Sequence, residues 1–266
     1  MLDGLGPFRF MVDTGANHSV ISDALRVRLG LSLDNGPPIT VSGIAGSRAA
    51  ATVTLERLDS GALHFRRLRL PVLNGPVFAD IDGILGIDGL AGRLLTADFR
   101  HDRLAISNAW SGVPIGDIEI PARIVSGKLF EIDALVGGVS AKAIIDTGSQ
   151  RTIGNAALLQ ALSSKYRADA ISIPTTVVDA TATSQDGVLH LVPSLRLGAT
   201  SMTSFYIAFG HFRVFNTWRL SRQPAIILGM DVLGLFSRIT LDYRRNDFGI
   251  LPRSEMESLR SIESMD

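Results

Sequence analysis

The chain has 266 residues, 46% of them apolar, with 26 basic and 26 acidic side chains and no cysteine. That length accommodates one large domain or two modest ones, each with a packed core. A zero net charge without a basic stripe gives nucleic acid no electrostatic footprint. The missing cysteine excludes disulfides, thiol nucleophiles and thiolate–metal sites, and no run reaches the ~20 apolar residues of a membrane helix.

Met1-Leu2-Asp3-Gly4 has neither the basic segment nor the apolar run of a signal peptide. Phe8–Val12 reads as a strand and leads into Asp13-Thr14-Gly15-Ala16. Ser22 can cap a helix over Asp23–Leu29, with Gly30 as its stop. Asn35-Gly36-Pro37-Pro38 and Asn74-Gly75-Pro76 are turn signals. Between them, Val41-Ser42-Gly43-Ile44-Ala45-Gly46 has the glycines of a hairpin tip, and Ala51–Leu55 alternates at the strand period. Arg66, Arg67 and Arg69, like Arg244 and Arg245, read as solvated strand or turn positions. Ile84-Leu85-Gly86-Ile87-Asp88 reads as a buried strand ending in a short helix that Asp88 can cap, and Asp98-Phe99 follows.

A linker-like stretch, Ser111-Gly112-Val113-Pro114-Ile115-Gly116, precedes a second pass through the same landmarks. Lys128–Val136 is an extended run, Gly137-Gly138 a turn, and Ala141–Ile145 the return into Asp146-Thr147-Gly148-Ser149. Asn155 can cap Ala156–Leu162, in the place that Ser22 holds in the first half. Ile227-Leu228-Gly229-Met230-Asp231 and Asp242-Tyr243 then repeat the remaining landmarks in order. The tail Ser254-Glu255-Met256-Glu257 has a capping-box pattern and an apolar face formed by Met256, Leu259 and Ile262. Three matched landmarks in one order imply an internal duplication, with halves at 1–114 and 115–266. The halves differ at one place: Phe8–Val12 has no outgoing partner strand within Met1–Asp3, which leads to the expectation that the natural chain carries one upstream.

Asp13 and Asp146 lie 133 residues apart, each at a strand-to-loop corner of its half. Two carboxylates meeting across a pseudo-dyad can share one proton, so that the ionised member activates a water while the other donates to a carbonyl. Gly15 and Gly148 let the chain turn tightly and bring backbone N–H groups near the carboxylates. Ser149 can donate a hydrogen bond to the pair, whereas Ala16 cannot. The five histidines show neither metal-ligand spacing nor a Ser-His-Asp arrangement, and no metal or other cofactor is expected.

The chain resembles the retropepsin-like aspartic proteases of bacteria, as two such units fused in one polypeptide. The resemblance rests on Asp13-Thr14-Gly15-Ala16 with Ser19 and Ile21, Val41-x-Gly43-x-x-Gly46, Ile84-Leu85-Gly86-x-Asp88, Asp146-Thr147-Gly148-Ser149 and Ile227-Leu228-Gly229-x-Asp231. It implies an all-β, bilobal, pseudo-twofold acid-protease fold with few short helices, peptide-bond hydrolysis, no metal, and hydroxyl-to-backbone cross-links by Thr14 and Thr147. It also implies that Val41, Gly43, Ile44, Ala45 and Gly46 form a substrate-covering flap whose glycines give it freedom to move; a plain hairpin is the simpler alternative. Val177–Thr183 takes the matching place without glycines, so that one tip is expected to move and the other to dock. Similar bacterial proteins are often exported to the periplasm. With both carboxylates on one chain, the expected unit is a monomer acting on peptide or protein substrates. A catalytically inactive protein that keeps the cleft to bind peptides is the main alternative, and an interaction protein with no cleft function is a third.

Overall fold

A computed structural model describes residues 1–60, 63–90, 92–107, 112–127, 129–166 and 172–253. Ser111, Lys128 and the helix expected from Ser254 onward lie outside the described residues. The architecture is β-rich with short helices, and no helix among the described residues is long and apolar enough to cross a membrane.

The same strand arrangement occurs in both halves. The first-half sheet runs Phe10–Val12, Gly83–Leu85, Val20–Ser22, Leu63–Leu73, Thr52–Ser60. The second-half sheet contains the run Val139–Ile145, Ala225–Leu228, Ile153–Gly154, Thr200–Gly210, Ser184–Leu197, extended by Ser172–Val178 on one side and by Leu129–Val136 and Arg123–Val125 on the other. Phe10–Val12 is an edge strand, whereas Val139–Ile145 is flanked on both sides. Register repeats too. Val12 pairs in parallel with Leu85, and Ile145 with Leu228, so each Ile-Leu-Gly strand lies directly beside the strand that delivers an aspartate. The two Ile-Leu-Gly strands are buried throughout, whereas Phe10–Val12 is half-buried: Ile84, Leu85, Ile144, Ile145, Ile227 and Leu228 belong to the core.

A third sheet joins the halves, in the order Ile118–Pro121, Asp247–Leu251, Arg238–Asp242, Leu94–Asp98, Arg103–Ser107. Leu94–Asp98 pairs antiparallel with Arg238–Asp242, with Thr96 opposite Thr240 at the centre. Here the landmark of an aspartate before an aromatic finds its reason. Asp98 accepts from the N–H groups of Arg100 and His101, and Asp242 from those of Arg244 and Arg245, each closing the turn of its own hairpin.

The helix signals are local and hold. Ser22 Oγ accepts from Leu25 N at the start of Asp23–Arg28, and Gly30 follows in the left-handed region at φ 65°. Asn155 Oδ1 accepts from Leu158 N at the start of Ala156–Lys165. That helix runs three residues past Leu162, because its end is anchored from outside. Lys165 Nζ and the hydroxyl of the following Tyr166 donate to the carbonyls of Gly138 and Gly137, in the turn after Leu129–Val136. The helices after the Ile-Leu-Gly strands differ from expectation. Gly86 and Gly229, not Asp88 and Asp231, hold the N-cap positions, and neither helix has a side-chain cap. The two aspartates are committed elsewhere.

Candidate active site

The loops after Phe10–Val12 and Val139–Ile145 meet at the centre of the molecule. The N–H of Asp13 donates to Leu85 O (3.0 Å) and that of Asp146 to Leu228 O (3.1 Å), so the neighbouring strand sets where each loop begins. The threonines then tie the loops to each other. Thr14 Oγ1 donates to Ile145 O (2.8 Å) and Thr147 Oγ1 to Val12 O (2.6 Å). Each hydroxyl also accepts from the other threonine's N–H, at 3.1 and 3.2 Å. A buried backbone polar group left unmade costs about 1–3 kcal/mol, so this closed set strongly favours one relative placement of the two loops.

The carboxylates of Asp13 and Asp146 lie together, close enough for each to alter the other's protonation. They sit in space that the glycines leave open. A Cβ on Gly15 would lie 2.5 Å from Asp146 Cγ, and one on Gly148 would overlap the Asp13 carboxylate. Neither glycine has a positive φ, so close approach rather than a tight turn explains why glycine stands there. Gly15 N and Ala16 N donate to Asp13 Oδ1, and Gly148 N to Asp146 Oδ1.

The pair is electrostatically asymmetric. Asp146 is buried and Asp13 half-buried. Burial, then the charge of Asp13, holds the Asp146 carboxyl well above the usual carboxylate range. Burial raises Asp13 as well, opposed by the N–H groups of Gly15 and Ala16 and by Asp146. Tyr243, in the turn that follows Arg238–Asp242, is close enough to feel both: burial and then the charges of Asp13 and Asp146 push its phenol up, keeping it protonated.

Asp88 and Asp231 form the outer support. Asp88 accepts from Ser19 N (2.9 Å) and Ser19 Oγ (2.6 Å); Asp231 accepts from Thr152 N (2.9 Å) and Thr152 Oγ1 (2.8 Å). The same hydroxyls accept from Gly86 N and Gly229 N. Ser19 and Thr152 each follow their aspartate by six residues, a match visible once the halves are aligned. Both acids thus tie down a loop instead of capping a helix. Ser149 departs from expectation as well. Its hydroxyl donates to Arg151 O at 2.7 Å, within its own loop, and not to the carboxylate pair.

Above the carboxylates lies a cavity of about 440 Å³, bordered by Met11, Ile84, Ile153, Val214 and Trp218 and by the hairpin tip at Val41–Ile44. Phe212 and Phe215 are core residues, while Val214 and Trp218 serve both core and cavity. The hairpin Ile39–Ser42 with Ser47–Ala50 closes its turn by Gly43 N to Gly46 O. Its tip rests on Asp179. The buried Asp179 Oδ2 accepts from Ala45 N (2.8 Å) and Gly46 N (3.1 Å), while Oδ1 accepts from Thr181 N, Thr181 Oγ1 and Thr183 N. Gly43 and Gly46 have no positive φ; their small size matters because Asp179 and Thr183 press against them. In the opposing segment Ala182 takes the left-handed φ of 61° that a glycine would usually supply. Both tips are therefore docked, each on the other.

Sequence alone does not single out Asp179, because the tip residues it holds, Ala45 and Gly46, lie more than 130 residues away. Asp179→Ala is expected to release the tip. Amide hydrogen exchange at Ala45 and Gly46 should accelerate by about tenfold or more, since two charge-assisted hydrogen bonds are lost. Unchanged exchange at those two amides would show that Asp179 does not hold the tip.

Comparison with curated proteins gives no match. Among solved structures, the chain is similar to the crystal structure of a retropepsin-like aspartic protease from Rickettsia conorii, at 19% identity over 51% of this chain and 89% of that one, with a TM-score of 0.35. A family model described as aspartyl protease matches residues 1–89 and 132–232, and each segment contains one Asp-Thr-Gly and one Ile-Leu-Gly-x-Asp. With well over half its length matched in this way, the chain belongs to the aspartyl protease family.

Proposed function

We propose that the protein is an aspartic endopeptidase in which Asp13 and Asp146 are the catalytic pair. The observation that carries this reading is the pair itself. Two carboxylates from equivalent loops come together, each in the space left by the opposite glycine, and both line the cavity. The shared proton rests on Asp146, the more buried member, and Asp13 carries the charge. Asp13 takes a proton from a water as its oxygen attacks the scissile carbonyl carbon. Asp146 gives its proton to the carbonyl oxygen, forming a neutral tetrahedral diol. Collapse of the diol returns one hydroxyl proton to Asp146, passes the proton that Asp13 took from the water to the departing nitrogen, and breaks the C–N bond, which restores the starting pair. Val41–Gly46 acts as the flap, and lobes 1–114 and 115–266 supply one carboxylate each, so a monomer suffices.

Hydrolysis of a casein-type protein mixture, blocked by an active-site inhibitor of aspartic proteases, tests the reading. Intact substrate after incubation across the acidic range would refute it and leave a peptide-binding cleft. The pH–rate profile should be bell-shaped with a mildly acidic optimum. Its two limbs follow the two titrations of the coupled pair, and burial displaces both carboxyls upward from the usual carboxylate range. A rate that climbs steadily above neutrality would point to other chemistry.

A further inference from the structure

The loops that carry the two aspartates also present one basic side chain each to the cavity. His18 and Arg151 follow Asp13 and Asp146 by the same five residues, and both line the cavity while remaining exposed. Neither side chain has a hydrogen-bond or ion-pair partner among the described residues. Arg151 is also not the counter-ion of the catalytic pair. What raises or lowers the pair is burial, the two carboxylates themselves and backbone N–H groups.

The backbone beneath these side chains is fixed from three directions. Ser149 Oγ holds the Arg151 carbonyl, Asp231 holds the next residue through Thr152 N and Oγ1, and Gly229 packs so close that a Cβ there would meet the Arg151 carbonyl carbon at 2.5 Å. At the first-half loop Asp88 holds Ser19, and a Cβ on Gly86 would meet His18 C at 2.7 Å. Loops built this way give the fifth residue after each aspartate a set position on the cavity wall. A guanidinium presented in that manner, charged at every working pH and able to grip a carboxylate with two parallel N–H groups, selects acid.

Resting on the endopeptidase reading, we infer that Arg151, seconded by His18 across the pseudo-dyad, is a specificity-determining residue that selects substrates with Asp or Glu flanking an apolar scissile segment. Apolar side chains at the scissile bond fit Met11, Ile84, Ile153 and Trp218; the acidic side chains sit farther out, against Arg151 on one side and His18 on the other.

The test uses the full chain and a set of labelled peptides sharing one apolar centre, with Glu, Gln or Lys placed in turn at each flanking position. Cleavage and equilibrium binding are both measured. At low salt, at least one position should favour Glu over Lys by about three- to tenfold in kcat/KM, and the ratio should shrink in molar salt. Arg151→Glu should invert that ratio, and Arg151→Lys should keep its sign. Cleavage with the same Glu-to-Lys ratio in wild type and Arg151→Glu overturns this inference and leaves the protease reading standing. Binding that favours Glu without any cleavage overturns the protease reading and leaves the acidic selectivity. Neither cleavage nor charge-dependent binding overturns both.

Discussion

Asp13→Asn and Asp146→Asn should each lower kcat by about 10²–10⁴-fold or more, because each removes half of one acid–base unit. The effects should not add, so the double variant should be no slower than the slower single one. The same substitutions carry an opposite expectation for stability. In the unfolded chain the Asp146 carboxyl titrates near its ordinary value of 3.8; in the folded chain burial and the Asp13 charge raise it well above that. Between those two values the folded state holds a proton that the unfolded state has released. The stability associated with that proton is complete below about pH 3.8 and is lost as the pH rises through the folded value. At neutral pH the native protein therefore bears the cost of a buried carboxylate, which an asparagine does not. Asp146→Asn should melt a few degrees above wild type at pH 7, and this advantage should vanish near pH 4. Thermal melts of both proteins at several pH values give the answer. An asparagine variant less stable than wild type at both pH values would contradict the burial penalty, and substantial hydrolysis by either folded variant would contradict the assignment of the pair.

What sequence made legible was local or repeated. Ser22 and Asn155 cap helices through bonds three residues long, and the strand signals before Asp13 and Asp146 depend on contiguous apolar residues. The repetition then raised two short motifs to a paired site. Residues whose meaning depends on distant partners were misread or missed. Asp88 looked like a helix cap because it starts a short helix, yet its partner Ser19 is 69 residues away. Asp231 and Thr152 are separated by 79. In both cases a hydroxyl and the backbone N–H of the same residue compete successfully for the carboxylate, and the hydroxyl in turn accepts from a glycine N–H, so a loop bridged in this way satisfies more groups than a cap would. Asp179 reads as an ordinary turn residue until the first-half tip is laid on it. Likewise, the sheet joining the halves pairs Leu94–Asp98 with Arg238–Asp242 across most of the chain, a register that no local pattern encodes.

Gly148→Ala is expected to fold yet lose at least about 10²-fold in kcat, and the comparison with Gly30→Ala shows why. The two glycines exist for different reasons. Gly30 has φ 65° and nothing within 4 Å of a would-be Cβ, so alanine there meets only backbone strain. That strain costs about 1–2 kcal/mol, far from the cavity, and should lower the melting temperature without changing turnover. Gly148 has no left-handed φ, so alanine suits its backbone, but the added methyl overlaps the Asp13 carboxylate. Asp13 cannot simply swing aside, because Gly15 N and Ala16 N hold its Oδ1 at 2.8 and 2.9 Å. The methyl must displace either the carboxylate from its partner or the two loops from each other, and the Thr14–Thr147 bonds resist the second. A shift of about 1 Å in a reacting group is enough to cost 10²-fold in rate. Gly15→Ala should behave in the same way, through Asp146. Turnover, melting temperature and inhibitor affinity measured on all three variants separate the two reasons. Near-wild-type turnover in folded Gly148→Ala would mean that the carboxylates are not packed against the opposite glycines, and the geometry proposed for catalysis would fall with it.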